Sequence, residues 1–340
     1  MKNKRQHIVT KAYLSAFVDP TTPSGQEPYL WVYERGSNKP YASAPKKVAV
    51  ESYYYSFTTP DGQRDDAVDD LLQKVESVAL PLLRAIDAGR DTATLAPEER
   101  MNLAHFIALL EVRVPRFRTM WEDFLTNVMG DLAIESASHA GYFASRIQAM
   151  TAEKGTVPVP DAEVEKLRRF ILSKEYKLNI NPVVSLQAML TAAPLVANYI
   201  YQYEWRILNA PAGAAFFTCD GPLVRVTTTK SYPRWQGVGW ESPFMEATLP
   251  LSPRTCLLIS VHHPEGSELA TAAQVREVNH RTAAYAVDEV YSSRQLAAAD
   301  LPKVGDPACW EPVTTALRGS STEPGEGDAE ADTSKKARSD

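Results

Sequence analysis

The feature that most constrains this chain is the order of its periodicities. A long stretch of helical period lies between two stretches that alternate like strands. Near the start, Tyr29–Glu34 (YLWVYE) and Glu51–Phe57 (ESYYYSF) have the aromatic, alternating character of strands, punctuated by Pro40, Pro45, Pro60 and Gly62. From Asp65 the period changes: Val68, Leu71, Val75, Leu82 and Ile86 fall on one helical face, closed by Gly89. Further helices are expected after Pro97, over Arg116–Gln148, over Asp161–Lys177 and over Pro182–Tyr203. The last third returns to strands, at Trp205–Leu208, Ala214–Thr218, Leu223–Thr227, Met245–Leu249 and Cys256–Val261, before a helix over Thr271–Ala286. Ahead of all this, Thr10 can cap a short helix over Lys11–Phe17, with Val9 stapled to Leu14.

Helices in the middle with strands at both ends predict an α+β fold. The expectation is a central helical bundle beside an antiparallel or mixed sheet built from amino- and carboxy-terminal strands. One domain over 1–317 is expected, followed from Arg318 to Asp340 by a disordered charged tail without large apolar residues.

Charge and cysteine content narrow the function classes. The net charge is −6, so no global basic field gathers nucleic acid, and any such contact must be a local patch. Cys219, Cys256 and Cys309 are odd in number and widely spaced, which argues against a disulfide framework or a zinc knuckle. The opening MKNKRQH leads into no apolar run of the signal-peptide kind, so a cytoplasmic location is the default expectation. Leu178–Tyr203 carries no charge and is long enough to span a bilayer. Five Asn and Gln residues and Pro194 interrupt it, so a core helix is expected and no membrane partner.

Six blocks in order carry a resemblance. They are QHIVTKAYLSAF with His7, Tyr13, Leu14 and Phe17; KKVAVESYYYSF with Glu51; and EVRVPRFR with Arg113 and Pro115. Then follow WRIL with FFTCDGPLV, PLSP (Pro250–Pro253), and VNHRTAAYAVDEVYSS. Together they resemble the bacterial family known as domain of unknown function 4238, over nearly all of residues 4–295. Thr10 stands where the family often has Pro, and Cys219 and Gly221 replace the Ser and Asn of its Ser-Asp-Asn-Pro turn. The resemblance implies an intracellular bacterial protein without an assigned activity, with a suggested link to defence or genome conflict.

Several residues in these blocks are chemical candidates. Arg113 falls inside an apolar stripe of Leu103, Phe106, Ile107, Leu110, Val114 and Phe117, where a guanidinium needs a partner. Glu76, at the edge of the preceding helix's apolar face, is that expected partner. Asp220 ends a strand-like run and is aimed by Asp-Gly-Pro. That is a position for a catalytic or ligating acid, or for an Asx turn bonded to nearby backbone. His7 has a reference pKa suited to proton transfer, and equally suits a polar plug fixing the amino-terminal arm. Asn279 is expected to be buried with a hydrogen-bonding role. Arg100 and His105 have a spacing similar to the active motif of HEPN-type ribonucleases, although Met101 follows the Arg in place of a polar residue. His262 and His263 are adjacent and would point to opposite sides of a strand, a poor chelate.

The sequence contains no Walker loop, dinucleotide fingerprint, His-Glu-x-x-His or Gly-x-Ser-x-Gly element. Two readings remain. One is a hydrolase acting on a phosphodiester or nucleotide, in the manner of a nuclease. Asp220, His7 and Glu51 would be its acid–base or metal groups, and Arg113 would order them or bind an anion. A divalent metal is the cofactor compatible with that set, and nucleic acid or a nucleotide is its partner. The other is a non-catalytic recognition or sensor module whose shared polar residues serve the fold. An enzyme should gather these side chains in one cleft, whereas a binding module should scatter them.

Overall fold

The computed structural model describes residues 5–37, 39–59, 61–229, 237–297 and 303–305. The charged tail from Arg318 and Cys309 lie outside the described residues.

The amino-terminal part comprises β1 (Arg5–His7), α1 (Lys11–Leu14), β2 (Leu30–Glu34), β3 (Tyr41–Ser43), β4 (Val50–Ser52), β5 (Phe57–Thr58) and β6 (Arg64–Asp65). Thr10 caps α1 by accepting from the Ala12 N–H at 3.2 Å, and a 3-10 turn continues it to Phe17. The tyrosine run is not one strand: Tyr53 adopts φ 58° and turns the chain between β4 and β5. Such a conformation is costly for a side chain with Cβ, and no extended ladder passes through it.

Six long helices follow: α2 (Ala67–Asp87), α3 (Pro97–Val112), α4 (Pro115–Ser138), α5 (Ala140–Glu153), α6 (Asp161–Ser173) and α7 (Pro182–Gln202). The buried face of α2 is Val68, Leu72, Ala79, Leu83 and Ile86, while Leu71 faces solvent. The buried stripe is therefore rotated from the one expected through Leu71. Pro115 does more than kink the chain. Val114 is extended and Pro115 opens a new helix at its first position, where a missing N–H costs nothing. The single helix expected over Arg116–Gln148 is two, broken at His139 with φ −105° and ψ 86°.

Helix α7 is long and apolar enough to cross a membrane, with a mean hydropathy of 1.5 over its best window. It packs along α3, burying Ser185, Leu186, Met189, Ala193, Ala197 and Ile200. Helix α3 is buried nearly all round from Leu103 to Val112, as the central helix of a core must be.

The carboxy-terminal part holds β7 (Glu204–Asn209), β8 (Thr218–Cys219), β9 (Val224–Thr227), β10 (Met245–Pro250), β11 (Thr255–Ser260), β12 (Gly266–Leu269), α8 (Ala272–Tyr285) and β13 (Glu289–Ser292). The larger sheet runs β12-β7-β11-β10-β9, antiparallel except for β12 on β7. The second runs β3-β2-β13-β8. In it β13 pairs antiparallel with β2, Val290 opposite Tyr33 and Tyr291 opposite Val32, so the two ends of the chain share a sheet. The fold is α+β, with a helical region and a sheet made by amino- and carboxy-terminal strands. A single apolar cluster joins Leu14 and Phe17, Leu72, Phe106 and Leu110 of the helices, and Trp205, Leu249 and Tyr291 of the strands.

Of the strand expected over Ala214–Thr218 only Thr218 joins a ladder, together with Cys219 beyond it. The preceding backbone is bonded elsewhere. The Phe217 N–H donates to Asn279 Oδ1 at 2.8 Å, Asn279 Nδ2 donates to the Ala215 carbonyl at 2.9 Å, and the Phe216 N–H donates to the Pro253 carbonyl. The buried Asn279 thus replaces a neighbouring strand, satisfying backbone groups that burial would otherwise strand.

Candidate functional site

The amino-terminal block, the tyrosine block and the Arg-x-Pro block converge on one guanidinium. Arg113 is the residue that ends α3, and it is 3% exposed. Its Nη1 donates to Glu76 Oε1 on α2 at 2.7 Å, its Nε to the Tyr55 hydroxyl at 3.1 Å, and its Nη2 to the His7 carbonyl at 2.5 Å. The Tyr55 hydroxyl also donates to the His7 carbonyl at 3.3 Å. Burial works against the charged guanidinium, yet Tyr55 and Glu76 more than offset it and raise its pKa. Arg113 thereby ties α3, α2, the tyrosine turn and the first strand together. All three of its nitrogens are engaged by protein.

His7 ends β1, opposite Val50 of β4. Burial pushes its imidazole below the ordinary histidine value, opposed by a hydrogen bond with the Pro45 backbone. Among the described residues Nε2 is buried without a partner. A neutral ring fits that position.

Asp220 is buried, and both of its oxygens are occupied. Oδ1 accepts from the Val287 N–H at 2.9 Å, and Oδ2 accepts from those of Asp288 and Glu289 at 2.6 and 3.0 Å. The Asp220 N–H in turn donates to the Glu289 carbonyl. Burial pushes the carboxyl above the ordinary range, and the three N–H donors pull back against that shift. The turn after β8 therefore aims the acid, but not at neighbouring backbone. It latches the loop from α8 to β13, nearly seventy residues on. Beside it Cys219 is buried, its Sγ directed to the Gly221 carbonyl, and its thiol is pushed up by burial.

An open cleft of about 410 Å³ lies at this corner, lined by Ile8, Glu34, Arg35, Lys47, Glu51, Pro115, Asp220, Asp288 and Glu289 among others. Glu51, opposite Gln6 in the β1–β4 pair, presents an exposed side chain there. Glu289 Oε2 accepts from the Tyr291 hydroxyl at 2.5 Å, and Tyr41 donates to Glu34 Oε1 at 2.9 Å. Of the four leading candidates, Glu51 and Asp220 share this cleft. Arg113 and His7 are each next or nearly next in sequence to lining residues but do not line it themselves.

The remaining candidates are tied into the fold. Arg100 donates to the Tyr201 and Tyr203 carbonyls at 3.1 and 2.7 Å, pairs with Glu265, and lies over the Trp205 ring. His105 Nδ1 sits 3.0 Å from the Met101 carbonyl of its own helix. Both residues of the ribonuclease-like spacing thus have bonding partners within the fold.

Sequence reasoning missed a second buried charged network. Glu246 of β10 meets His263 Nε2 at 3.0 Å and Arg281 Nη1 at 2.9 Å, and Arg281 Nε meets Glu277 Oε1 at 2.9 Å. All four side chains are buried. The Glu277–Arg281 spacing of four on α8 was the available signal. His262, by contrast, stacks on Phe244, so the two adjacent histidines do part company. A third cluster joins Glu111, Arg225 and Trp240, with Arg225 Nη2 at 2.6 Å and Trp240 Nε1 at 3.1 Å from the Glu111 carboxylate. Among the described residues no group of three or more His, Cys, Asp or Glu side chains is arranged to hold a metal ion.

No curated protein and no solved structure matches the chain. A family match covers residues 5–295, from β1 through the segment after β13. It spans the Arg113 clasp, the Asp220 latch, the Asn279 brace and the cleft, and the chain belongs to the family described as protein of unknown function (DUF4238).

Proposed function

We propose that the chain is a non-catalytic recognition module of the bacterial cytoplasm whose shared polar residues are structural. The observation that carries this reading is the full engagement of Asp220, whose two oxygens accept three backbone N–H groups. Three of the roughly four acceptor positions of that carboxylate are committed to the loop it holds, so proton exchange with a substrate competes with those bonds. Arg113 is likewise bonded on every nitrogen, and Asn279 braces backbone. The cleft is then the recognition surface. Beyond Asp220 it carries Glu34, Glu51, Asp288 and Glu289 against Arg35 and Lys47. That balance favours a ligand bearing positive charge over a polyanion.

One observation favours a second reading, a hydrolase of phosphodiesters or nucleotides in a defence or genome-conflict setting. Glu51 and Asp220 line the same cleft, with Arg35 and Lys47 beside them. In that reading Glu51 takes the proton of an attacking water while the two cations hold the phosphate. The experiment that separates the two is turnover of nucleotides and oligonucleotides, with and without Mg²⁺ or Mn²⁺, by wild type and Glu51→Gln. The module reading predicts no turnover above buffer for either protein. Wild-type turnover that a folded Glu51→Gln loses by about 10²–10⁴ would establish the hydrolase instead.

A further inference from the structure

Helix α4 has 24 residues, yet Ala137 is its one fully buried side chain. A helix draws most of its stability from the apolar face it packs, and among the described residues the outer side of this one lacks a covering. The small core that α4, α5 and α6 enclose contains three fully buried residues, Ala137, Phe143 and Val164. On the outer side, Met120, Phe124, Val128 and Leu132 form one ridge at spacing four, exposed by 57%, 54%, 39% and 65%. Side chains of this class have areas of roughly 150–250 Å², so the ridge leaves about 400 Å² of apolar surface bare.

We propose that this ridge is a homodimer interface in which α4 of one chain packs antiparallel on α4 of a second copy. The charges on the same face support that arrangement. Arg116 at the amino-terminal end is exposed, with Nη1 on the Tyr285 carbonyl at 2.9 Å and its guanidinium over the Tyr285 ring, and exposed Asp131 and Glu135 lie at the other end. A two-fold axis near Thr126 sets Met120 against Leu132 of the second copy and Phe124 against Val128. It also brings each Arg116 end beside the Asp131–Glu135 end of its mate. An isologous contact of this kind is self-complementary by construction.

The area is sufficient. Two ridges bury about 800 Å², and polar side chains flanking helices about 36 Å long bring the total to about 1,000–1,200 Å², the lower range for specific association. Other coverings fit less well. Asp123, Asp131 and Glu135 border the ridge, and carboxylates there repel an anionic lipid surface. Residues 318–340 contain no large apolar side chain to lay into it.

The test is the mass of the full chain by sedimentation equilibrium up to about 100 µM. Wild type is expected at twice 37.6 kDa in the upper part of that range. Phe124→Glu combined with Leu132→Glu returns it to 37.6 kDa with an unchanged far-ultraviolet spectrum. Leu269→Glu, at a site 73% exposed on β12, leaves the dimer intact. A wild type that stays at 37.6 kDa throughout overturns the proposal. So does a dimer that survives the double change, or one that Leu269→Glu dissociates equally.

Discussion

Removing Glu76 should cost more than its partly exposed position suggests, because of what it leaves behind. Its side chain is 18% exposed, whereas that of Arg113 is 2% exposed, so Glu76→Ala strands a buried cation. The Tyr55 hydroxyl and His7 carbonyl remain, but neither is an anion. Breaking a buried pair from one side costs about 3–5 kcal/mol. Arg113→Ala leaves an acid nearer to water, together with two oxygens that lose donors, and a loss of about 2–4 kcal/mol follows. Combining the two changes, Glu76→Ala with Arg113→Ala, removes the charges together. The double variant should therefore lose less than the two singles combined, with a coupling of about 1–3 kcal/mol. Urea unfolding of the four proteins, followed by circular dichroism, measures it. Losses that add to within about 0.5 kcal/mol would refute a clasp between α2 and α3.

Three further outcomes are expected. Burial holds His7 below the ordinary value of 6.5, so the unfolded chain binds that proton more readily. Stability is then full above about pH 6.5 and falls as pH drops toward the folded value. His7→Gln should flatten this limb of urea midpoints between about pH 5 and 7.5, and an unchanged slope would exclude it. Arg281→Met removes the cation shared by the buried Glu246 and Glu277 carboxylates and should cost about 3–5 kcal/mol; a loss below about 1 kcal/mol would show the network to be dispensable. Asn279→Ala unpairs the Phe217 N–H and the Ala215 carbonyl. Amide exchange at Phe217 should accelerate at least tenfold, and unchanged protection would mean that another group holds that strand-like segment.

What could be read from the sequence followed from local chemistry. A cation in an apolar stripe demands a counter-ion, and the face of α2 offered Glu76. The order of periods gave an α+β fold, and the Thr10 cap and the α8 boundaries followed from capping residues. What could not be read was long-range. Asp220 read as a catalytic or ligating acid or as a local turn acid, because Gly and Pro follow it, but its donors come from Val287–Glu289. Glu246 sits in a strand whose other residues read as core, and only the packing of α8 and the segment after β11 supplies its partners. The break at His139 has no Pro to mark it, only Gly141 in the first turn of α5. The α2 face rotated toward Leu72 because a stripe of period 3.6 admits neighbouring apolar positions, and tertiary contact chooses among them.

The central claim is that the shared polar residues hold the fold, and Asp220→Asn tests it most directly. Asn keeps the size but turns one acceptor oxygen into a donor. Because both oxygens of Asp220 are used, at least one backbone N–H loses its acceptor and meets another N–H. A turn acid bonded through one oxygen would tolerate the change with a small loss; this latch should lose about 1–3 kcal/mol. The measurement is thermal unfolding of wild type and Asp220→Asn by calorimetry. A fall of roughly 1.5–5 °C is predicted. An unchanged melting temperature would contradict the account and free Asp220 for another role.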